Sequence, residues 1–200
     1  MTRSWAGTTL AERREERRRR LLDVGLELLG TSGAAAVSVR SVCRAAGLTD
    51  RYFYENFADR DALLVAVFDE VAAEFGGALV SAVEADHPDK ETLARAAVEA
   101  FLDVMVADPR KGRVLLIEPL SSPAIGGQGL AVSPMFVALV RAQLDEPSSE
   151  DDALLGATAI VGALTSLFVR WLDGTLEVDR DTLSAFCVRL LLTAASLTAG

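Results

Sequence analysis

Ser38 and Thr49 are good N-caps for two short helices, expected over Val39–Ala46 and Asp50–Asn56, and Gly47 between them supplies a tight turn. Val39, Val42, Cys43 and Leu48 on the first side, and Phe53 and Phe57 at i, i+4 on the second, are the apolar residues such a pair needs to pack together. Packing would leave the other faces of the second helix free. The major groove of DNA is wide enough to admit one such helix. Helix N-termini favour anions, so the caps at Ser38 and Thr49 suit phosphate contact.

Competing chemistry is poorly supplied. His87 is the single histidine and stands beside Pro88 in an expected loop, so no metal constellation and no Ser-His-Asp or Cys-His arrangement can be assembled. No glycine-rich phosphate loop is present. Asp151-Asp152 and Asp179 with Asp181 read as acidic helix starts rather than paired catalytic acids. Cys43 and Cys187 are far apart, form no disulfide framework and fit a reducing cytoplasm. No enzyme activity, cofactor or metal is expected.

The elements that must position the short helices read as all-α. A tail over residues 1–9 is expected to be disordered. Leu22, Gly25, Leu26 and Leu29 repeat at i, i+3, i+4 and i+7, giving a helix from Leu10 to Thr31 that Gly33 stops. Asp59 caps a long helix from Arg60 to Ala85. Further helices are expected over Glu91–Ala107, Pro109–Pro119, Ser133–Leu144, Glu150–Leu172 and Asp179–Ala199. Three Gly and one Pro mark Ser121–Gly129 as a mobile loop, and Glu146-Pro147-Ser148-Ser149 reads as a linker. The expected division is a DNA-binding domain over 10–58 and a larger domain over 59–200.

Charge agrees with a protein that touches nucleic acid at one end. The 200 residues carry a net charge of −9, yet residues 1–60 hold 11 Arg and no Lys against 8 acids, a net +3, while residues 61–200 hold a net −12. The arginine run Arg13, Arg14, Arg17, Arg18, Arg19 and Arg20 has two readings. One is a solvated helix face laced by Glu12, Glu15 and Glu16; the other is an arm approaching the DNA backbone or minor groove. The uncharged stretch Ala153–Val169 reaches the length of a short membrane span but lacks aromatic belts and includes Gly156, Thr158 and Gly162. A buried or subunit-contacting helix is the better reading, and no membrane partner is expected.

Val39-Arg40-Ser41-Val42, then Gly47-Leu48-Thr49-Asp50-Arg51-Tyr52-Phe53-Tyr54-Glu55-Asn56-Phe57, then Asp59-Arg60-Asp61-Ala62-Leu63 resemble the DNA-binding domain of the tetracycline-repressor (TetR) family. The preceding helix, Arg20-Leu21-Leu22-Asp23 through Leu28, Leu29 and Gly33, agrees, so the resemblance covers roughly residues 15–68. It implies an all-helical homodimer whose first three helices bind DNA and whose remainder forms a ligand pocket and a four-helix dimer interface. Carried over by position, it implies phosphate contacts from Ser38, Tyr54 and Arg60, and base reading by Arg51, Tyr52 and Glu55, with Arg40 and Thr49 in the same surface. Asp50 departs from the lysine common in the family. An acid suits a helix start but not a phosphate, so Arg51 is expected to take over the basic role.

The resemblance further implies a cytoplasmic, ligand-responsive repressor that binds palindromic operator DNA as a dimer and is released by a small apolar molecule. Candidate pocket residues are Phe101, Met105, Leu116, Phe136, Phe168 and Trp171. Candidate dimer residues are the small Gly156, Ala159, Gly162 and Ala163 on one helix and Phe186, Leu190 and Leu197 on the next. The long helix from Arg60 is expected to carry the release signal by tilting and changing the separation of the two recognition helices. The alternative is a helical small-molecule carrier or enzyme that has lost DNA binding.

Overall fold

The computed structural model describes residues 10–143 and 149–197, without the side chains of Leu130, Ala131 and residues 194–197. The expected tail over 1–9, most of the 146–149 linker, and the side chain of Leu197 therefore lie outside the described residues. Among the described residues there is no strand. Ten helices follow in order: α1 Leu10–Ser32, α2 Val39–Ala46, α3 Asp50–Tyr54, α4 Arg60–Glu84, α5 Lys90–Ala107, α6 Pro109–Leu116, α7 Glu118–Ser121, α8 Pro123–Arg141, α9 Glu150–Leu172 and α10 Arg180–Leu197. A one-turn 3₁₀ segment, Ala34–Ala36, joins α1 to α2.

Caps place most of these boundaries. The Asp59 carboxylate accepts the Ala62 N–H at 2.8 Å and starts α4. Asp89 accepts Thr92 N–H at 2.8 Å before α5, and Asp179 accepts Thr182 N–H at 2.7 Å before α10. Each of these bonds satisfies an N–H that the helix ladder leaves open.

Helices α1, α2 and α3 form an N-terminal three-helix unit. Leu21, Leu29, Val42, Ala46 and Phe53 make its fully buried centre. Helix α4 joins the unit to the rest of the chain. Its Leu63, Leu64 and Val67 belong to the same buried cluster as the α1 residues, and its Val71 and Phe75 continue that cluster into the larger helical body. There α4 packs on α5 and α8, while α10 packs on α5 and α9.

Two expectations fail between α6 and α8. A helix from Pro109 to Pro119 is interrupted after Leu116 and resumes as the short α7, because Pro119 has no N–H to continue the ladder. The expected loop at Ser121–Gly129 is instead the end of α7, a one-residue break at Ser122 and the start of α8 from Pro123 onward. Pro123 fits its first turn, and Ile125 is fully buried there. Two of the three glycines, Gly126 and Gly129, serve close contact rather than mobility. A Cβ built at Gly129 would lie 2.8 Å from the Pro119 Cβ, and one at Gly126 would lie 3.3 Å from the Pro119 carbonyl oxygen. The helix also runs through Pro134, near where it was expected to begin.

Candidate nucleic-acid interface and cavity

Local chemistry determines the geometry of α2 and α3. Ser38 Oγ accepts the Ser41 N–H at 3.0 Å while Ser41 Oγ accepts the Ser38 N–H at 2.9 Å, a reciprocal cap that sets the start of α2. Gly47 then turns the chain at φ 62°, a left-handed conformation that favours glycine. Thr49 occupies the N-cap position of α3 without a side-chain cap bond. Phe53 and Phe57 are buried with ring centroids 5.8 Å apart, and Val42 and Cys43 are buried beside them in the same core. This is a helix-turn-helix, and it leaves Ser38, Arg40, Thr49, Arg51, Tyr52 and Tyr54 exposed.

The arginines of α1 lie over α3. Arg14 Nη2 donates to the Glu55 carbonyl oxygen at 2.5 Å. The Arg17 guanidinium sits 4.5 Å from the Tyr52 ring centroid and 3.7 Å from the Glu55 carboxylate. Arg18 stands 4.7 Å above the Phe57 ring. On the solvent side Arg51 Nε donates to Glu55 at 3.1 Å. Tyr52 and Glu55 are therefore held in place before any partner arrives, which lowers the entropy lost on contact. Neither sequence reading of the arginine run anticipated this role. Arg19 does follow the solvated-face reading, facing Glu15 at 4.0 Å.

Arg60 hooks the start of α4 onto the turn before α2. Its Nε donates to the Val37 carbonyl at 2.7 Å and its Nη2 to the Ala34 carbonyl at 2.5 Å, while Nη1 meets Asp61 at 2.9 Å. The acid at Asp50 also acts within the molecule: burial first, and then Asp50, push the Cys43 thiol up to about 11.

The larger body holds a partly open cavity of about 170 Å³ between α4, α5, α6, α8, α9 and α10. Phe101, Leu116, Phe136 and Phe168 line it, with Phe101 and Phe168 stacked at 4.9 Å. Met105 and Trp171 do not. Met105 is turned against Gly112, where a built Cβ would lie 2.7 Å from its Cγ. The Trp171 indole N–H instead donates to the Val178 carbonyl at 2.9 Å. Lining residues missed from sequence include Leu79, Val83, Leu139 and Ile160, whose helical spacing reads as ordinary core. The polar lining is sparse: Lys90, Gln143 and Thr165.

Helices α9 and α10 leave an apolar face outward. Leu155 is 68% exposed, Leu154 48% and Phe186 47%. Ala159 and Gly162 are exposed beside them, and Gly156, Ala163 and Leu190 are half-buried. A Cβ at Gly162 would meet nothing within 4 Å. Both α8 and α9 are long and apolar enough to cross a membrane by length and composition, but in this fold Ala153, Ala157, Ile160 and Phe168 bury one side of α9 in the helical body.

Residues 21–67 match the family model of bacterial regulatory proteins, tetR family. No curated protein matches the sequence significantly. Similar solved structures include a tetR-family transcriptional regulator from Streptomyces coelicolor (TM-score 0.76, 19% identity, covering 92% of this chain and 82% of that one). A TetR-like transcriptional regulator from Rhodococcus sp. RHA1 superimposes with TM-score 0.73 and 21% identity, covering 92% and 97% of the two chains. The transcriptional regulator FadR from Bacillus subtilis, in complex with stearoyl-CoA, does so with TM-score 0.75 and 16% identity, covering 88% and 98%. At such identities these structures establish the shared fold, and the match at residues 21–67 lies on the helix-turn-helix itself. Residues 21–67 thus match the DNA-binding segment of the tetR family of bacterial regulatory proteins, and the chain as a whole shares the fold of these regulators.

Proposed function

We propose that this regulator is a cytoplasmic repressor that binds palindromic operator DNA as a homodimer and leaves it when a small, mostly apolar molecule fills the cavity. The observation that carries the reading is the outer face of α3. Arg51, Tyr52 and Tyr54 stand exposed on a helix whose other side is anchored by Phe53 and Phe57, with arginines of α1 alongside. Arg51, Tyr52 and Glu55 would read base edges; Ser38, Arg40, Thr49 and Tyr54 would contact phosphates. Arg60 would add a phosphate contact through the part of its guanidinium that remains exposed, in addition to fixing the turn before α2.

The cavity supports an effector that is largely hydrocarbon, with a polar group toward Lys90 and Gln143. The Bacillus subtilis neighbour is in complex with stearoyl-CoA, whose acyl chain is hydrocarbon of that kind. The exposed apolar face of α9 and α10 is suited to a two-fold contact with a second copy. Selection of bound sequences from a random DNA pool tests the reading. Enrichment of one palindrome, with affinity falling as salt rises, is the expected result. No enrichment at low salt would leave the carrier or enzyme reading in its place.

A further inference from the structure

Glu118 is the one buried charged side chain among the described residues, at 2% exposure. It lies on α7, yet one of its oxygens leaves the helical body. Oε2 accepts the Ala34 N–H at 3.1 Å, in the turn between α1 and α2. Oε1 accepts from Arg113 Nε of α6 at 3.0 Å. The 3₁₀ turn Ala34–Ala36 has no cap of its own, since Gly33 at its N-cap position has no side chain and adopts φ 78°. Glu118 supplies that cap from 84 positions away. An isolated carboxylate would not be stable at such burial, so both donors are needed to keep it there.

The capped turn is gripped on its other sides as well. Its Ala34 carbonyl accepts from Arg60 of α4 at 2.5 Å, and its Ala36 carbonyl accepts from Ser41 Oγ of α2 at 2.9 Å. Ser38, the cap of α2, follows Val37, whose carbonyl also binds Arg60. On the opposite side, Arg113 shares α6 with Leu115 and Leu116, two residues of the cavity wall. A set of polar contacts thus runs from Arg113, on the helix that carries Leu115 and Leu116 of the cavity wall, to the start of the helix-turn-helix, and it passes through one carboxylate.

We infer that Glu118 is a positioning residue that latches α6 and α7 to the turn before α2 and transmits a change at the cavity to the helix-turn-helix. The route is separate from the long helix α4, which sequence alone nominated as the link. Its consequence for DNA rests on the regulator reading above, but the latch itself requires no DNA. A purely structural carboxylate would raise or lower stability without altering how α2 responds to the cavity.

Amide hydrogen exchange of the full chain tests this, with Ala97→Phe as a ring placed in the cavity in lieu of an unidentified ligand. In the otherwise unchanged protein this substitution is expected to alter exchange at Ala34 and across α2. Glu118→Met removes both acceptor oxygens. Glu118→Asp keeps the charge by Arg113 but is one methylene too short for Ala34, and it serves if the Met variant does not fold. Either variant should speed exchange at Ala34 on the order of tenfold, the factor a charge-assisted hydrogen bond corresponds to. In either background Ala97→Phe should no longer move α2. An α2 response of equal size in the Asp background, or none in the unchanged protein, overturns the inference. No DNA enters the experiment, so a failure of operator binding would be seen separately.

Discussion

Gly30 of α1 and Arg110 of α6 approach so closely that a Cβ built at Gly30 would lie 2.5 Å from the Arg110 Cβ and 2.9 Å from its Cα. The obstacle is backbone and its first carbon, not the flexible end of a side chain. Arg110 is fixed there by its own pairs, to Asp108 at 2.7 Å and to Glu27 of α1. Gly30→Ala is therefore expected to push α6 off α1 and to cost about 1–3 kcal/mol, the usual range for overpacking. Gly77→Ala is the contrast: nothing lies within 4 Å of a Cβ there, in the interior of a long helix. That change should stabilise by about 0.5–1 kcal/mol. Urea midpoints of the two variants would decide it, and a Gly30→Ala protein as stable as its parent would contradict the packing described.

Asp50 and Cys43 set a pH response inside the helix-turn-helix. The folded chain holds the Cys43 thiol neutral, raised from its ordinary 9.0 to about 11 by burial and then by Asp50. An acid with a raised folded value stabilises fully below its unfolded value and loses that contribution as pH climbs through the folded one. Stability from this group should therefore be complete below pH 9 and fade toward pH 11. Alkylation of Cys43, followed by mass spectrometry against pH, should have its midpoint near 11 in the parent and lower in Asp50→Asn. Rapid alkylation at neutral pH, or an unmoved midpoint in the variant, would break the assignment.

Asp50 also shows where sequence reading reached its limit. The caps Ser38 and Asp59, the turn at Gly47 and the pair Phe53 and Phe57 were legible because each acts over a few residues, where residue type and spacing determine the geometry. Glu118 was not legible, since its partner Ala34 is brought near by the fold alone. The one local sign was an acid directly after the apolar run Val114-Leu115-Leu116-Ile117. The glycines at 126 and 129 misled for the same reason. Glycine in a turn and glycine at a close helix contact look alike until Pro119 is known to face them. Arg14, Arg17 and Arg18 read as a solvated face of α1 or an arm toward DNA and not as supports of α3, because their contacts with Glu55, Tyr52 and Phe57 cross between helices.

Assembly should depend on the outward face of α9 and α10. Leu155 on α9 and Phe186 on α10 are 68% and 47% exposed, which is unfavourable for large apolar side chains on a monomer surface. A two-fold contact would bury both, and charge there would be left without a partner. Leu155→Asp with Phe186→Asp is expected to yield a folded protein sedimenting at the chain mass of 21.3 kDa, against twice that mass for the parent. A parent that already sediments as a single chain at micromolar concentration removes the dimer from the proposal.

Contact with DNA should separate into reading and holding. Arg51 is exposed on α3 and pairs with Glu55, which Arg17 also approaches from α1. Arg51→Ala removes a donor able to grip guanine by two hydrogen bonds, and it frees Glu55 on the solvent side. The expected result is a changed preference of about 1–3 kcal/mol at one base position, with other positions intact. Tyr54 is 58% exposed at the end of α3, and Arg40 is exposed on α2. Tyr54→Phe and Arg40→Ala should weaken binding to all sequences by similar factors. Only Arg40→Ala should also lower the slope of log affinity against log salt, by about one for the lost cation. Arg17→Gln forms a third class. It leaves every groove-facing atom in place but withdraws the cation that lies 4.5 Å over Tyr52. Its signature should be a shallower distinction between right and wrong bases, because Tyr52 and Glu55 would no longer be held before contact. Binding measured on the selected operator and on single-base variants at two salt concentrations separates the three classes. An Arg51→Ala protein with unchanged preference at every position would show that α3 does not read the groove through this side chain.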